Sequence, residues 1–177
     1  MNYANIKKCD VANGEGIRVS LFVSGCTHYC KGCFNYEAWD FNFGKEYTKE
    51  TEDHIIELLS SSYIKGLSLL GGEPLHPDNQ AQVASLVKRV RKELPNKDIW
   101  CYTGYVFDKE ILDGMYKELS TTKDIIDNVD VLVDGKFIID LADKRLRFRG
   151  SSNQRIIDVK KSLENNDIQL WDMSYGI

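Results

Sequence analysis

The sequence predicts an α/β fold in which parallel strands alternate with crossover helices, either as an open sheet or as an incomplete barrel. Short apolar runs that are rich in β-branched and aromatic residues recur along the chain, as expected of buried strands. The last three runs begin about 30 residues apart, which is the length of a strand, a crossover helix and the next strand. The segments between them carry apolar residues at helical spacing.

Four strands are predicted, over residues 17–23, 67–70, 99–102 and 129–133. Each run is short and largely apolar, which is typical of a strand buried in an α/β sheet. Parallel neighbours need a long crossover connection, whereas antiparallel neighbours do not. The regular spacing of the last three runs therefore favours parallel pairing with right-handed crossovers.

Three helices are predicted between these strands. Thr48 is expected to cap the first helix and Asp108 the third, because a side-chain oxygen at this position accepts a hydrogen bond from the first turn. The second helix has one apolar stripe, and its last turns carry cations that the helix dipole favours. The stripe consists of Val83, Leu86, Val87, Val90 and Leu94.

Length and composition are typical of a globular protein. A chain of 177 residues corresponds to about one domain, so residues 1–177 are expected to form a single domain. With 42% hydrophobic and 28% charged residues, the disordered and collagen-like classes are excluded. The formal net charge of −4 gives no reason to expect a nucleic-acid partner. No secretory leader or membrane span is recognisable, and a cytoplasmic protein without a membrane partner is expected.

Three of the five cysteines, Cys26, Cys30 and Cys33, lie close together in a long segment (24–47) that follows the first predicted strand. Thiolates are soft ligands that suit iron-sulfur clusters or zinc. A closed zinc site needs four protein ligands, whereas three thiolates on a four-iron cluster leave one iron open. The cluster is the favoured interpretation. In the alternative, a structural zinc ion takes its fourth ligand from His28, His76, Cys9 or Cys101.

A second motif, Gly71-Gly72-Glu73-Pro74, directly follows the predicted strand 67–70. The carboxyl ends of strands are where α/β proteins bind their ligands. Glycine lets a ligand approach the backbone closely, and the Glu73 carboxylate can accept a hydrogen bond from an ammonium group. By itself the motif is also compatible with a simple turn. Together with the cysteine loop, it favours a small-molecule site.

A CxxxCxxC loop after the first strand and a GGEP at the end of the next resemble the radical S-adenosylmethionine superfamily. Residues 13–18 and 22–26 resemble the same region in activases of glycyl radical enzymes. Further blocks resemble the activases that serve anaerobic ribonucleoside-triphosphate reductase, and together they extend over most of the chain in the expected order. These blocks are 26–35, 71–77, 100–105, 131–137 and 149–154.

The resemblance implies that Cys26, Cys30 and Cys33 ligate a 4Fe-4S cluster, whose fourth iron binds S-adenosylmethionine. An electron from an external one-electron donor then cleaves this cofactor, and the 5′-deoxyadenosyl radical takes hydrogen from a glycine of anaerobic ribonucleoside-triphosphate reductase. The implied fold is an incomplete (β/α) barrel of the radical S-adenosylmethionine type. Two alternatives stay open. One is an activase of another glycyl radical enzyme, such as a pyruvate formate-lyase-like protein, and the other is a zinc-binding interaction module.

The resemblance also implies which residues contact the cofactor. Residues 71–73 would hold its methionine end, and residues 32–34 would lie against its adenosine. Superfamily members commonly have an aromatic residue just before the third cysteine, where this chain has Gly32, so any adenine stacking passes to Phe34 or another aromatic. For Thr103, Asp134 and Lys136, the alternative is that they are ordinary polar residues at strand ends. The implied set is Gly32, Cys33, Phe34, Gly71, Gly72, Glu73, Thr103, Asp134 and Lys136.

Other unusual residues have simpler expected roles. His28 and His76 are expected to form hydrogen bonds in loops, because the three thiolates suffice as ligands and a further one would block the open iron. The aromatic residues of 36–43 could cover a cluster or simply pack a long loop. The locally basic segment 144–161 is expected to be a solvated face, with a docking surface for a protein partner as the alternative.

Overall fold

The computed structural model describes residues 1–173 as a mixed α/β structure, and the described strands form one seven-stranded sheet. The order of the strands across the sheet is β3-β1-β2-β4-β5-β6-β7. The strands are β1 (Asn2–Asp10), β2 (Arg18–Val23), β3 (Lys45–Glu46), β4 (Gly66–Gly71), β5 (Asp98–Tyr102), β6 (Val131–Asp134) and β7 (Arg155–Asp158).

The four predicted strands are confirmed as β2, β4, β5 and β6, and they pair in parallel in this order. Arg18 lies opposite Gly66, and Gly66 lies opposite Asp98, so these strands begin at one edge of the sheet. The sheet also contains three strands that were not predicted, β1, β3 and β7, and these pair antiparallel with their neighbours. No crossover helix lies between β1 and β2 or between β6 and β7, and antiparallel neighbours can be joined without one.

Five α-helices connect or follow the strands in residues 1–173. Thr48 caps the first helix as predicted: its hydroxyl accepts a hydrogen bond from the Thr51 amide at 3.4 Å. No helix of the described chain is long and apolar enough to cross a membrane. The helices are α1 (Lys49–Leu59), α2 (Pro77–Glu93), α3 (Tyr116–Glu118), α4 (Ser120–Ile126) and α5 (Val159–Asn165).

The third helical segment differs from its prediction. It begins with a π-helix, Phe107–Met115, which continues into α3. Asp108 is not the cap, because Val106 occupies that position and Asp108 lies in the first turn. The Asp108 carboxylate instead accepts a hydrogen bond from Arg155 at 2.6 Å, so a tertiary ion pair replaces the local capping bond.

The two faces of the sheet bury different side chains. On one face, alternate strand residues pack with the helices into the main core, which includes Leu21, Leu69 and the predicted α2 stripe residues Leu86 and Val87. Side chains alternate along a strand, so the intervening residues face the other way. They form a second cluster around Trp100, which is covered by Phe148 and Trp171 rather than by helices.

Asp130 joins three elements at the start of the parallel strands. Its carboxylate accepts hydrogen bonds from the Ile99 amide at 2.8 Å and from Arg91 of α2 at 2.7 Å, and it pairs with Lys160 of α5 at 2.6 Å. Burial opposes its ionisation, but these hydrogen bonds outweigh burial and hold the pKa of Asp130 below its ordinary value. The carboxylate therefore stabilises the fold.

Truncating the apolar stripe of α2 should destabilise the protein. Leu86 is fully buried, and we expect Leu86→Ala to lower the free energy of unfolding by about 2–5 kcal/mol because it leaves a cavity in the main core. Leu170→Ala is the matched control, since Leu170 is 64% exposed. Denaturant unfolding of both variants measures the difference. Equal losses in the two variants would contradict the proposed packing of α2.

Asp130→Asn should destabilise the protein in a pH-dependent manner. A carboxyl group with a lowered pKa in the folded state contributes stability above the ordinary carboxyl pKa of about 4, and this contribution disappears as the pH falls through the lowered pKa. The loss of thermal stability in the variant should therefore be largest near neutral pH and should shrink in acid. Melting temperatures of both proteins from pH 7 to pH 3 provide the test. A difference that grows in acid would contradict the assignment.

Candidate active site

The carboxyl ends of the parallel strands border an open cavity of about 360 Å³. It brings together the cysteine loop after β2, the turn after β4 and the polar residues that follow β5. Three predicted site residues, Gly32, Asp134 and Lys136, are not among its lining residues. The predicted site residues that do line it are Cys26, Cys30, Cys33, Phe34, Gly71, Gly72, Glu73 and Thr103.

Backbone hydrogen bonds order the long segment that carries the cysteines. The Gly25 amide donates to the Ala38 carbonyl at 2.8 Å, and the Cys26 amide donates to the Trp39 carbonyl at 3.1 Å. Both acceptors belong to a short 3₁₀ helix, Tyr36–Trp39, which folds back over the start of the loop. Contacts within its own segment thus help to fix the position of Cys26.

The turn after β4 is joined to the cysteine loop by its backbone. The Gly72 amide donates to the Val23 carbonyl at 2.7 Å, and the Glu73 amide donates to the Gly25 carbonyl at 2.8 Å. A Cβ atom at Gly72 would lie only 2.6 Å from that Gly25 oxygen. The close approach of two backbones therefore requires glycine at this position.

Asn79, in the first turn of α2, adds a side-chain connection that the sequence reasoning missed. It is 1% exposed, and its amide nitrogen donates to the Ser24 carbonyl at 3.0 Å and to the Glu73 carbonyl at 2.9 Å. One side chain thus holds the cysteine loop and the turn after β4 together. The available signal was its place at the start of an amphipathic helix directly after the GGEP motif.

The Glu73 carboxylate is buried and accepts four hydrogen bonds. Oε1 accepts from the Leu75 amide at 2.9 Å and from the Thr103 hydroxyl at 2.8 Å. Oε2 accepts from the Gly104 amide and from His28 Nε2, both at 2.8 Å. This carboxylate therefore links the ends of β4 and β5 to the cysteine loop.

The thiols of the cysteine loop lie in a partly buried environment. Burial is the main cause that raises the pKa of Cys26 to about 11, and burial also raises the pKa of Cys30. Binding of a metal or cluster must release these protons. Within residues 1–173, no three histidine, cysteine or acidic side chains are arranged as a site for a metal ion. The role of the three thiols as cluster ligands stays a prediction.

The cavity wall contains polar atoms suited to a polar ligand. Among the described residues, Tyr102 Oη and Arg149 Nε are buried without a hydrogen-bond partner, and both residues line the cavity. Unsatisfied buried polar groups are rare in folded proteins and call for an explanation such as a bound ligand. Tyr102 and Arg149 thus bring a hydroxyl and a guanidinium to the cavity, and these groups have the chemistry to bind a ligand with hydroxyl and carboxylate groups, such as S-adenosylmethionine. Neither residue was singled out from the sequence, although both lie within the motif blocks.

The backbone conformation explains why the residue before the third cysteine is glycine. Gly32 has a positive φ of 77°, and a Cβ atom there would lie 2.6 Å from Ile139 Cδ1. This left-handed backbone conformation favours glycine, and a larger side chain would also have to displace the end of the Ile139 side chain. Phe34 lines the cavity and is 83% exposed, so it is available for stacking. Its contact with adenine stays a prediction.

Asp134 and Lys136 line a second depression beside the main cavity, and Gly104 and Gly135 border both. The buried Asp134 carboxylate accepts hydrogen bonds from the Phe107 amide at 2.8 Å and from Arg155 Nε at 3.0 Å. These bonds give Asp134 a role in the fold. The predicted cofactor contacts of Asp134 and Lys136 stay predictions.

Comparison with known proteins gives consistent matches. A family described as a 4Fe-4S single cluster domain matches residues 12–157. The anaerobic ribonucleoside-triphosphate reductase-activating protein of Escherichia coli K12 is 48% identical over 157 residues, which cover 87% of this chain and 96% of that protein. The protein of the same name from Vibrio cholerae is 49% identical over 158 residues, which cover 88% of this chain and 97% of that protein. The one from phage T4 is 44% identical over 156 residues, which cover 88% of this chain and 93% of that protein. This chain belongs to the family of anaerobic ribonucleoside-triphosphate reductase-activating proteins.

Membership of the reductase-activating family confirms the resemblance drawn from the motif blocks. The matched range 12–157 contains both the cysteine loop and the turn after β4. It also contains β2, β4, β5 and β6, whose carboxyl ends border the cavity. The family match therefore covers every element that forms the candidate site.

The residues considered as a fourth zinc ligand are placed as follows. His76 Nδ1 accepts a hydrogen bond from the Asp78 amide at 3.2 Å and caps α2, as expected of a loop histidine. Cys101 is buried on the helix-covered face of the sheet, and Cys9 is exposed on β1. Of these residues, only His28 lines the cavity, and it bonds to Glu73.

The aromatic residues of 36–43 and the basic segment 144–161 both make contacts within the chain. Trp39 lines the cavity, whereas Phe41 packs against Gly25 and the His76 ring, so the aromatic residues both border the site and pack the loop. Several cations of the basic segment form ion pairs within the chain. A role of this segment in docking stays a prediction.

Removing the Asn79 amide should weaken the connection between the two motifs. We expect Asn79→Ala to lower the free energy of unfolding by about 1–3 kcal/mol, because it removes the buried donor to the Ser24 carbonyl and one of the two donors to the Glu73 carbonyl. Asn165→Ala is the control, since the exposed Asn165 amide donates only to the Lys161 carbonyl of its own helix. Chemical denaturation of both variants compares the two losses. An Asn79 variant as stable as the control would contradict this role.

Proposed function

We propose that this protein is a radical S-adenosylmethionine activase that generates a glycyl radical on anaerobic ribonucleoside-triphosphate reductase. The observation that carries the proposal is one open cavity lined by all three cysteines of the loop and by residues 71–73. The relatives are named as activating proteins of that reductase, and this supports the choice of partner. The 4Fe-4S family supports the choice of metal centre.

A bound cluster would supply one electron to the sulfonium of S-adenosylmethionine, which would then break at its bond to the ribose 5′ carbon into methionine and a 5′-deoxyadenosyl radical. Cys26, Cys30 and Cys33 would hold three irons through their thiolates. The electron comes from an external one-electron donor. We infer that the protein works in the cytoplasm, with no membrane or nucleic-acid partner.

The chain's own residues would orient the cofactor in this cavity. The backbone of residues 71–73 borders the cysteine loop, which suits binding of the methionine end next to the open iron. Tyr102 and Arg149 line the same cavity, and among the described residues Tyr102 Oη and Arg149 Nε are buried without a partner. Their side chains would meet the hydroxyl and carboxylate groups of the cofactor. Phe34 would stack on the adenine from the exposed side.

The fold suits a protein substrate. We infer that the parallel strands β2, β4, β5 and β6, with helices on one face, form the incomplete barrel typical of this chemistry. The cavity at their carboxyl ends is open to the outside, so a glycine on a loop of a large partner could reach it. A closed barrel would exclude such a partner. The open site is therefore compatible with a protein glycine as the final hydrogen donor, and the names of the relatives support that choice.

Cys30→Ala should abolish both cluster binding and activation. Anaerobically reconstituted protein should contain about four irons and four sulfides per chain, and the variant should lose most of both because one iron has no thiolate. Cys9→Ala, at an exposed cysteine on β1, is the matched control and should behave like the unmodified protein. Metal analysis, absorption spectra and cofactor cleavage after reduction give the readout.

The decisive step of the same experiment uses the reductase. Reduced activase, S-adenosylmethionine and anaerobic ribonucleoside-triphosphate reductase should yield a protein radical doublet in paramagnetic resonance. A doublet only with a different glycyl radical enzyme would reassign the partner. One zinc per chain without sulfide, reproduced after reconstitution, would overturn the proposal in favour of a binding module.

A further inference from the structure

We propose that His28 is a positioning residue that holds the cysteine loop against residues 71–73 through the Glu73 carboxylate. The inference rests on the proposed function, because it assigns His28 a part in arranging the cluster loop and the cofactor turn. His28 lies between Cys26 and Cys30 in the chain, and its Nε2 donates to Glu73 Oε2 at 2.8 Å. This is a side-chain bond across the cavity wall from one motif to the other.

The carboxylate that receives this bond has no acceptor position left over. An ionised carboxylate offers about four lone-pair positions, and Glu73 accepts four hydrogen bonds while only 1% exposed. Two of these donors, Thr103 and Gly104, follow β5, and Leu75 lies in the turn of Glu73 itself. A ligand ammonium could reach a Glu73 oxygen only by displacing a donor. Glu73 therefore acts as a junction of three chain segments, and His28 is the contribution of the cysteine loop.

Neighbouring groups hold the imidazole in place. The side chain of His28 is 7% exposed, and its ring packs edge-on against the Tyr105 ring at 4.6 Å. A Cβ atom at Gly104 would lie 2.4 Å from His28 Cδ2, so the ring lies directly on the backbone after β5. The ring is therefore packed between the Tyr105 ring and the backbone at Gly104. This rigidity is what a positioning residue requires.

The neighbouring cysteines should respond when this bond is lost. Without a donor from position 28, Glu73 Oε2 keeps only the Gly104 amide, and the loop between Cys26 and Cys30 loses its side-chain attachment to the strand ends. The backbone bonds of Gly25 and Cys26 to the 3₁₀ helix remain, so the fold itself should persist. The expected effect is a local loosening of the loop.

Two variants separate the hydrogen bond from ring packing. His28→Phe keeps a ring against Tyr105 and removes the donor, whereas His28→Gln keeps an N–H donor of similar reach. His54→Ala, at an exposed histidine on α1, is the matched control. In the protein without cluster, the rate of iodoacetamide alkylation at Cys26 and Cys30 is followed site by site by mass spectrometry, and melting temperatures verify folding.

His28→Phe should increase alkylation of buried Cys26 about tenfold, the change in opening equilibrium expected from losing a hydrogen bond to a charged group. His28→Gln and His54→Ala should stay near the rate of the unmodified protein. In reconstituted protein, His28→Phe should also weaken the cofactor-induced change in the paramagnetic resonance spectrum of the reduced cluster, and His28→Gln should restore it.

Failure of this inference is distinguishable from failure of the proposed function. Unchanged alkylation in His28→Phe, or equal increases in His28→Phe and His28→Gln, would overturn the role of the bond to Glu73, even if the unmodified protein activates the reductase. Conversely, an unmodified protein that binds no cluster would overturn the proposed function, while the alkylation rates would still decide whether His28 holds the loop.

Discussion

The site depends on the hydrogen bonds by which the turn after β4 is joined to the chain that leaves β2. The amides of Gly72 and Glu73 donate to the carbonyls of Val23 and Gly25, and Asn79 donates to the same region from α2. Backbone groups buried at strand ends must find partners, because unpaired ones are costly. Hydrogen bonds between the two motifs satisfy these backbone groups and hold the motifs side by side. Both motifs therefore line the same cavity.

Different interactions stabilise the two faces of the sheet. The helix-covered face is an apolar core, whose stability comes from buried surface and close packing. The other face carries the Trp100 cluster and a buried Arg18, whose guanidinium pairs with Asp98 at 2.6 Å and bonds to Ser68 at 2.7 Å. The cavity opens at the carboxyl edge of this sheet, where polar groups such as Glu73 and Thr103 are held by hydrogen bonds. Rigid packing behind the sheet thus supports a polar edge that can bind ligands.

Sequence reasoning succeeded where one local pattern was sufficient. Short apolar runs predicted the four parallel strands, and the residue type of Thr48 predicted the cap of α1. Both predictions hold because strand patterns and helix caps depend on residues that are close in the chain. It failed where a distant partner competed with a local one. Asp108 has the chemistry of a cap but bonds to Arg155, and the mostly polar β1 forms a strand because it pairs along β2.

Sequence alone determined the family-level motifs and the residue types available for chemistry: three thiols in one loop, two glycines and a carboxylate after the next strand. Tertiary structure decided how they are used. It gave Gly32 a positive φ, which favours glycine over an aromatic residue, and it joined His28 to Glu73 across 45 positions of chain. The physical reason is that side-chain hydrogen bonds and steric contacts act over a few ångströms in space, and spacing along the chain does not specify which distant atoms come that close.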